Sequence, residues 1–264
     1  MTEGSALADS LETLDSLSVD VLTDDVSDNY VSKTPFAVSE FSNVVRAGAR
    51  VISGEALLCA NLGFGLRLVS ILGGKRHTLL FDTGPEGAIF LRNCRALGIR
   101  LGEVEAIAVT HGHWDHMAAL PVTIDSILAH GGRVTVHVNP GMFNERAARL
   151  GNGKIVRVAN VPLPSELDRH GATVINHPAE RLLLDGHFYY SGEIPRITPF
   201  ECAVVVTAPK ASIGPVSVAT STPRIGKINL IDIGSLTEYM ADYSALALLN
   251  LAGRGMEARV AVSA

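Results

Sequence analysis

Cysteine is scarce in this 264-residue chain. Cys59, Cys94 and Cys202 are odd in number and far from any C-x-x-C spacing, which excludes a disulfide framework and a cysteine zinc knuckle. They read as reduced, buried thiols. Long apolar runs are missing as well: no stretch of about 18 apolar residues occurs, so no membrane-spanning helix is expected. Positive charge is short, with a formal net charge of −5, and no basic stripe exists to neutralise a nucleic-acid backbone. Residues 1–31 hold eight acidic residues and no Lys or Arg, unlike a secretory or transit leader. These absences point to a cytoplasmic protein with neither nucleic acid nor membrane as partner. They say nothing of oligomeric state.

What is present supports one sizeable core, since hydrophobic residues make up 47 % of the chain. Leu7, Leu11 and Leu14 lie at helical spacing in an acidic leader, residues 1–15, and suggest a short surface helix or a frayed segment. Residues 16–264 read as one domain. Leu17–Leu22 forms a first strand, ended by the turn residues Asp24, Asp25, Asp28 and Asn29. Strands over Phe64–Leu72 and His77–Phe81 flank Gly73-Gly74, which suits a tight hairpin. A helix is expected over Glu86–Leu97, stopped by Gly98. A buried strand follows at Val104–Thr110, then a histidine loop, a helix over Met117–Ala129 and a strand at Arg133–Val138. Val174–Asn176 and a hairpin over Leu182–Tyr190 complete the pattern. Strands alternating with helices predict a layered α/β fold. Residues 202–239 match no pattern and read as an insertion or a lid.

The run His111-Gly112-His113-Trp114-Asp115-His116 carries the chemistry. It follows a strand end, where α/β sheets place their sites. Two imidazoles two residues apart in an extended loop can share one metal ion, and Asp115 and His116 can reach a second. Imidazole and carboxylate suit zinc, and a bound ion brings water within reach of ionisation near neutral pH. A chance H-x-H-x-D-H at this composition has a probability of roughly one in two thousand. His77, His130, His137 and His170 have no partner pattern and read as structural. His177 and His187 are the only later candidates for a further ligand. Asp82-Thr83-Gly84 also matches the aspartic-protease signature, but the second triplet that chemistry needs is absent.

Thr110-His111-Gly112-His113-Trp114-Asp115-His116, preceded by Phe81-Asp82-Thr83-Gly84, resembles the metallo-β-lactamase superfamily. The resemblance implies a four-layer αββα sandwich. It further implies two divalent ions, zinc in the first instance with iron or manganese as alternatives. His111, His113, Asp115 and His116 would be the metal ligands, Asp115 the catalytic carboxylate and Asp82 the carboxylate supporting the loop. His116, where the best-known true lactamases carry Arg, turns the resemblance toward glyoxalase II-like and hydrolase branches. Asp28-Asn29, Gly192-Glu193-Ile194-Pro195-Arg196 and Thr198-Pro199-Phe200-Glu201 are similar to the dihydropterin-type ribofuranosyl-aminobenzene phosphate synthase branch, with Glu193 and Arg196 as substrate-facing residues.

That resemblance implies a metal-dependent hydrolase or transferase that uses a metal-bound hydroxide on a phosphate-, ester- or pterin-type small molecule. A complete site of this kind takes at least one further histidine from the second half of the sandwich, and none follows His187. The stretch Asp242–Leu248, Gly253-Arg254-Gly255 and Val260–Ala264 looks like the lead-in to such a ligand, so a C-terminally truncated chain is expected. The alternative expectation is a catalytically incomplete homologue, a weak metal-binding or fold-only module.

Overall fold

The computed structural model describes residues 10–25, 40–46, 48, 50–149 and 154–193, and beyond them three strands. In chain order the elements are β1 (Ser16–Thr23), α1 (Glu40–Arg46), β2 (Gly65–Leu72), β3 (Lys75–Phe81), α2 (Gly87–Ala96) and β4 (Ala106–Ala108). Then come α3 (Trp114–Met117), α4 (Leu120–Ala129), β5 (Thr135–Val138), β6 (Ala147–Arg149), β7 (Ile155–Arg157), α5 (Pro164–Arg169) and β8 (Thr173–Asn176). The last strands are β9 (Arg181–Leu183), β10 (Phe188–Tyr190), β11 (Cys202–Val206), β12 (Val216–Thr220) and β13 (Leu246–Ala247).

Six strands form the main sheet in the order β1-β2-β3-β4-β5-β8. The β1–β2 and β2–β3 pairs are antiparallel, and β3–β4, β4–β5 and β5–β8 are parallel. Parallel strands send their carboxyl ends to one edge, so the loops after β3 and β4 meet there. The β2–β3 turn is tight because Gly73 and Gly74 both adopt positive φ, 57° and 80°, a conformation open to glycine without steric cost.

Side-chain alternation divides the core in two. Leu80, Ile107, Val109, Val136 and Val138 face the helix side and pack with Phe90, Leu120, Ile124 and Ile127. Leu79, Phe81, Ala106 and Ala108 face the other way and pack with Leu183, Phe188 and Tyr190. The second face is thus covered by the hairpin of β9 and β10, which joins β13 in a three-stranded sheet. This is a mixed α/β architecture with a mainly parallel sheet. The expectation of a second outer helix layer bears on residues outside those described.

Several expectations need correction. Leu11–Leu14 is not helical; Leu14 packs against the second core cluster instead, while Leu7 lies outside the described residues. The single helix expected over Met117–Ala129 is two, α3 and α4, because Pro121 sits in the first turn of α4, where its fixed φ starts a helix rather than continuing one. Regular strand structure covers only Ala106–Ala108 of Val104–Thr110. Cys94 is buried and Cys59 half-buried. Asp28 and Asn29 fall outside the described residues, as does most of 202–239, within which β11 and β12 pair antiparallel. Among the described residues, no helix is long and apolar enough to cross a membrane.

Candidate metal centre

Asp82 terminates β3. Its amide donates to Ala108 O at 3.0 Å, extending the β3–β4 ladder by one bond, and its φ is 58°, a left-handed value that aspartate tolerates better than most residues. The chain turns there and leaves the carboxylate, fully buried, against the start of the histidine loop. Its Oδ1 accepts from Thr110 N at 2.8 Å. Its Oδ2 accepts from Thr110 Oγ1 at 2.6 Å and from His116 Nδ1 at 2.7 Å.

Those contacts fix protons further along. A carboxylate oxygen only accepts, so the single Thr110 hydroxyl proton is committed to Asp82. The 2.9 Å contact between Thr110 Oγ1 and His111 Nδ1 is then donated by His111, which puts its proton on Nδ1 and its lone pair on Nε2. His116 likewise donates from Nδ1. Two imidazoles are therefore tied down by Nδ1, the arrangement by which ligand histidines are oriented in metal proteins.

The loop converges. The rings of His111 and His113 have centroids 4.5 Å apart, and those of His111 and His116 are 4.1 Å apart. His116 Nε2 lies 3.5 Å from Asp115 Oδ2. Two glycines allow this closeness: a Cβ on Gly112 would stand 1.9 Å from Met142 O, and one on Gly63 would stand 2.1 Å from Asp115 O. Backbone bonds from Thr83 N to His116 O and from Met117 N to His113 O, at 3.0 and 3.1 Å, hold the one-turn α3 beneath.

Burial, followed by the charges of His116, His113 and Arg146, holds the His111 imidazole well below its ordinary pKa. For His116 burial acts in the same downward direction, but the Asp82 charge and the hydrogen bonds that the ring donates to Asp115 and Asp82 outweigh it and lift the ring to about 9. Asp115 is raised by burial and lowered more by its hydrogen bond and charge attraction to His116, so the net shift is downward and it is a carboxylate at neutral pH.

The donor set of three imidazoles and a carboxylate is the chemistry a divalent ion such as zinc takes, and the Nδ1 anchors suit that use. The rings nevertheless pack against one another, and among the described residues no group of three or more His, Cys, Asp or Glu stands ready to hold an ion. Holding one requires the side chains to turn so that one nitrogen of each ring and the Asp115 carboxylate share a point.

The remaining candidates lie elsewhere. Glu193 is exposed, and its amide donates to Pro178 O at 2.8 Å; Arg196 lies outside the described residues. His177 is exposed, anchored by its amide to Val138 O at 3.1 Å. His187 is buried at the opposite end of β3, its Nδ1 2.9 Å from Ser70 Oγ and its ring edge-on to His77 at 4.5 Å. Ser70 pairs with His77, whereas Asp82 lies beyond the Leu66–Phe81 pair, so His187 cannot supply a ligand to the loop. The other unassigned histidines all have partners: Glu105 and Asp185 for His77, Ser126 O for His130, Arg181 for His137 and Asp125 for His170. Thr110, which relays Asp82 to His111, carries no signal in the sequence beyond its place before the loop. Arg146, whose charge bears on His111, carries none.

The family described as Metallo-beta-lactamase superfamily matches residues 62–247. No protein of curated function matches. Among solved structures, a subclass B3 metallo-beta-lactamase from a soil metagenome library is 17% identical, with 48% of this chain and 44% of that chain covered and a TM-score of 0.28. A metallo-beta-lactamase from Cronobacter sakazakii is 17% identical over 49% of this chain and 47% of its own, at a TM-score of 0.28. A Thermotoga maritima protein described as a metallo-beta-lactamase is 12% identical over 66% and 65%, at a TM-score of 0.32. The chain spans less than half the length of the first two structures.

Proposed function

This chain belongs to the metallo-beta-lactamase superfamily, and on that premise we propose a metal-dependent hydrolase whose site is the loop His111–His116. The observation that carries the reading is the relay from Asp82 through Thr110 to His111, together with the direct bond from His116 to Asp82. It fixes Nδ1 of both rings, so that an ion would take each ring by Nε2, displacing the proton that His116, with a pKa of about 9, carries there. His111, His113, Asp115 and His116 would hold the ion, zinc by donor chemistry, and the ion would supply Lewis acidity and a water acidified toward neutral pH. The chain's own residues orient and hold protons. Asp115, ionised and half-buried, sets the direction of an attacking water and takes up its proton. Asp82 keeps the loop's protons on Nδ1.

The run Ser191-Gly192-Glu193-Ile194-Pro195-Arg196 supports placement in the dihydropterin-type ribofuranosyl-aminobenzene phosphate synthase-like branch. A phosphate-, ester- or pterin-type small molecule is then the substrate, and transfer as well as hydrolysis is within the chemistry. A second reading, a weak metal-binding module without turnover, is favoured by one observation: the absence, among the described residues, of a ligand group ready to hold an ion. The test loads chelator-treated protein with zinc and follows chromogenic ester, thioester and phosphodiester substrates. Zinc-dependent turnover of one of them, lost in His116→Ala, is expected. Zinc uptake without turnover establishes the second reading, and turnover unaffected by chelation or by His116→Ala overturns both.

A further inference from the structure

The β4–β5 ladder ends where the histidine loop leaves the sheet. Val109 N donates to His137 O at 3.1 Å, and in a parallel pair the next bond would run from Asn139 N to Val109 O. Asn139 N instead meets Met142 Sδ at 3.4 Å, because the chain turns into Pro140–Phe143 at that point. The carbonyl of Val109, two residues before His111, is met by a side chain from the other sheet: Tyr190 Oη donates to it at 2.8 Å.

Tyr190 is fully buried and sits at the end of β10, paired with Arg181 of β9. The Arg181 guanidinium lies 4.5 Å from the centre of the Tyr190 ring. Arg181 is itself fastened to the main sheet, through Nε to His137 Nδ1 at 3.1 Å and through Nη2 to Val138 O at 3.4 Å. It also donates from Nη1 to His177 O and Ala179 O, both at 2.9 Å. A cation stacked on the ring face, with its donors committed to backbone carbonyls and one imidazole, leaves the phenol little rotational freedom. The hydroxyl is thereby aimed at the point from which the loop departs.

We propose that Tyr190 is a positioning residue for the metal loop, its hydroxyl replacing the missing ladder bond and so setting the angle at which His111 and His113 leave β4. The inference deepens the metal-loop reading and rests on it for the identity of the ligand. Three variants separate positioning from general support. Tyr190→Phe deletes one hydroxyl. Tyr189→Phe deletes the neighbouring one, which donates to Glu180 on the same hairpin. Phe188→Leu loosens the same buried cluster without touching a hydrogen bond.

Zinc titration of the full chain is expected to show an affinity about tenfold weaker for Tyr190→Phe, the low end for loss of an outer partner of a metal ligand. Tyr189→Phe and Phe188→Leu should stay within about twofold of the parent on the same scale, although Phe188→Leu lowers the unfolding temperature. Affinity unchanged in Tyr190→Phe, or equally weakened in Phe188→Leu, overturns the proposal. If the parent chain takes up no zinc, the metal reading fails and amide exchange decides the inference alone. Residues 107–113 should then exchange about fivefold faster in Tyr190→Phe, as loss of one buried hydrogen bond predicts, with no such change in Phe188→Leu. Equal exchange in all forms overturns it.

Discussion

Asparagine at position 82 would remove a charge while keeping the shape of the side chain, and the consequences can be followed atom by atom. Asn tolerates the left-handed φ of 58° at this position as Asp does, so backbone strain does not enter. The amide must place its oxygen toward Thr110 N, since the opposite flip would set N–H against N–H. Its NH2 then occupies the place of Oδ2, facing Thr110 Oγ1 and His116 Nδ1. Both contacts reverse: Thr110 must accept, and His116 must give up its Nδ1 proton to accept as well. The Thr110 hydroxyl proton is released toward His111 Nδ1, which pushes the His111 proton to Nε2. The His111 nitrogen meant to face a metal becomes protonated, and the proton that remains on His116 sits on its Nε2.

Stability falls too, because the charge pair between His116 and the buried Asp82 carboxylate is lost. Breaking such a pair from one side costs about 3–5 kcal/mol. The lower end, about 3 kcal/mol, applies because the bond from Thr110 N survives. Urea unfolding at pH 7 in the presence of chelator measures that loss. Long-range ¹⁵N NMR of the histidine rings measures the tautomers, and zinc titration should show an affinity about 10- to 100-fold weaker. A variant as stable as the parent to within about 0.5 kcal/mol, with His111 still protonated at Nδ1, refutes the relay.

Other substitutions probe separate links. Gly112→Ala puts a methyl 1.9 Å from Met142 O, a backbone atom, so a loss of about 2 kcal/mol or more is expected in thermal unfolding; an unchanged melting temperature denies that close approach. His187→Ala should leave zinc stoichiometry as it was, since the ring packs on His77 at the far end of β3, while His111→Ala should abolish uptake; loss of zinc in His187→Ala contradicts the topology. His137 is held neutral by burial and then by the Arg181 charge, its pKa lowered to about 4. Its unfolded form takes up a proton near pH 6.5. The stability from keeping the ring neutral is therefore complete above about pH 6.5 and is lost as pH falls toward 4, by at most about 3 kcal/mol. NMR titration of His137 with a midpoint near 6.5 would refute this.

Local grammar made part of the fold legible. Gly73-Gly74 announced the β2–β3 turn, and Gly98, at φ 66°, announced the end of α2. The apolar run Leu79-Leu80-Phe81 lay in an expected strand, and in the structure all three side chains are buried, on its two faces. What escaped depended on context. Pro121 and Pro164 each start a helix, yet Pro121 lay inside an apolar stretch that reads as continuous, and α5 is only one and a half turns long. Leu11 and Leu14 keep helical spacing by coincidence, since Leu14 is drawn to the sheet's second face. At the site, residue types were visible and the partnerships were not. Asp82 could be placed behind the loop by resemblance, but the relay through Thr110 and the reach of Tyr190 across the sheet join residues 28 and 81 apart in the chain, and no local pattern encodes either.

The central claim is that the loop from His111 to His116 holds a divalent ion. Chelated protein, reloaded with zinc and passed through a desalting column, gives zinc per chain by atomic emission, with His111→Ala/His113→Ala as the control. The account predicts zinc retained by the parent chain and lost from the double variant while both remain folded by circular dichroism. Equal zinc in the two forms, or none in either, would contradict it.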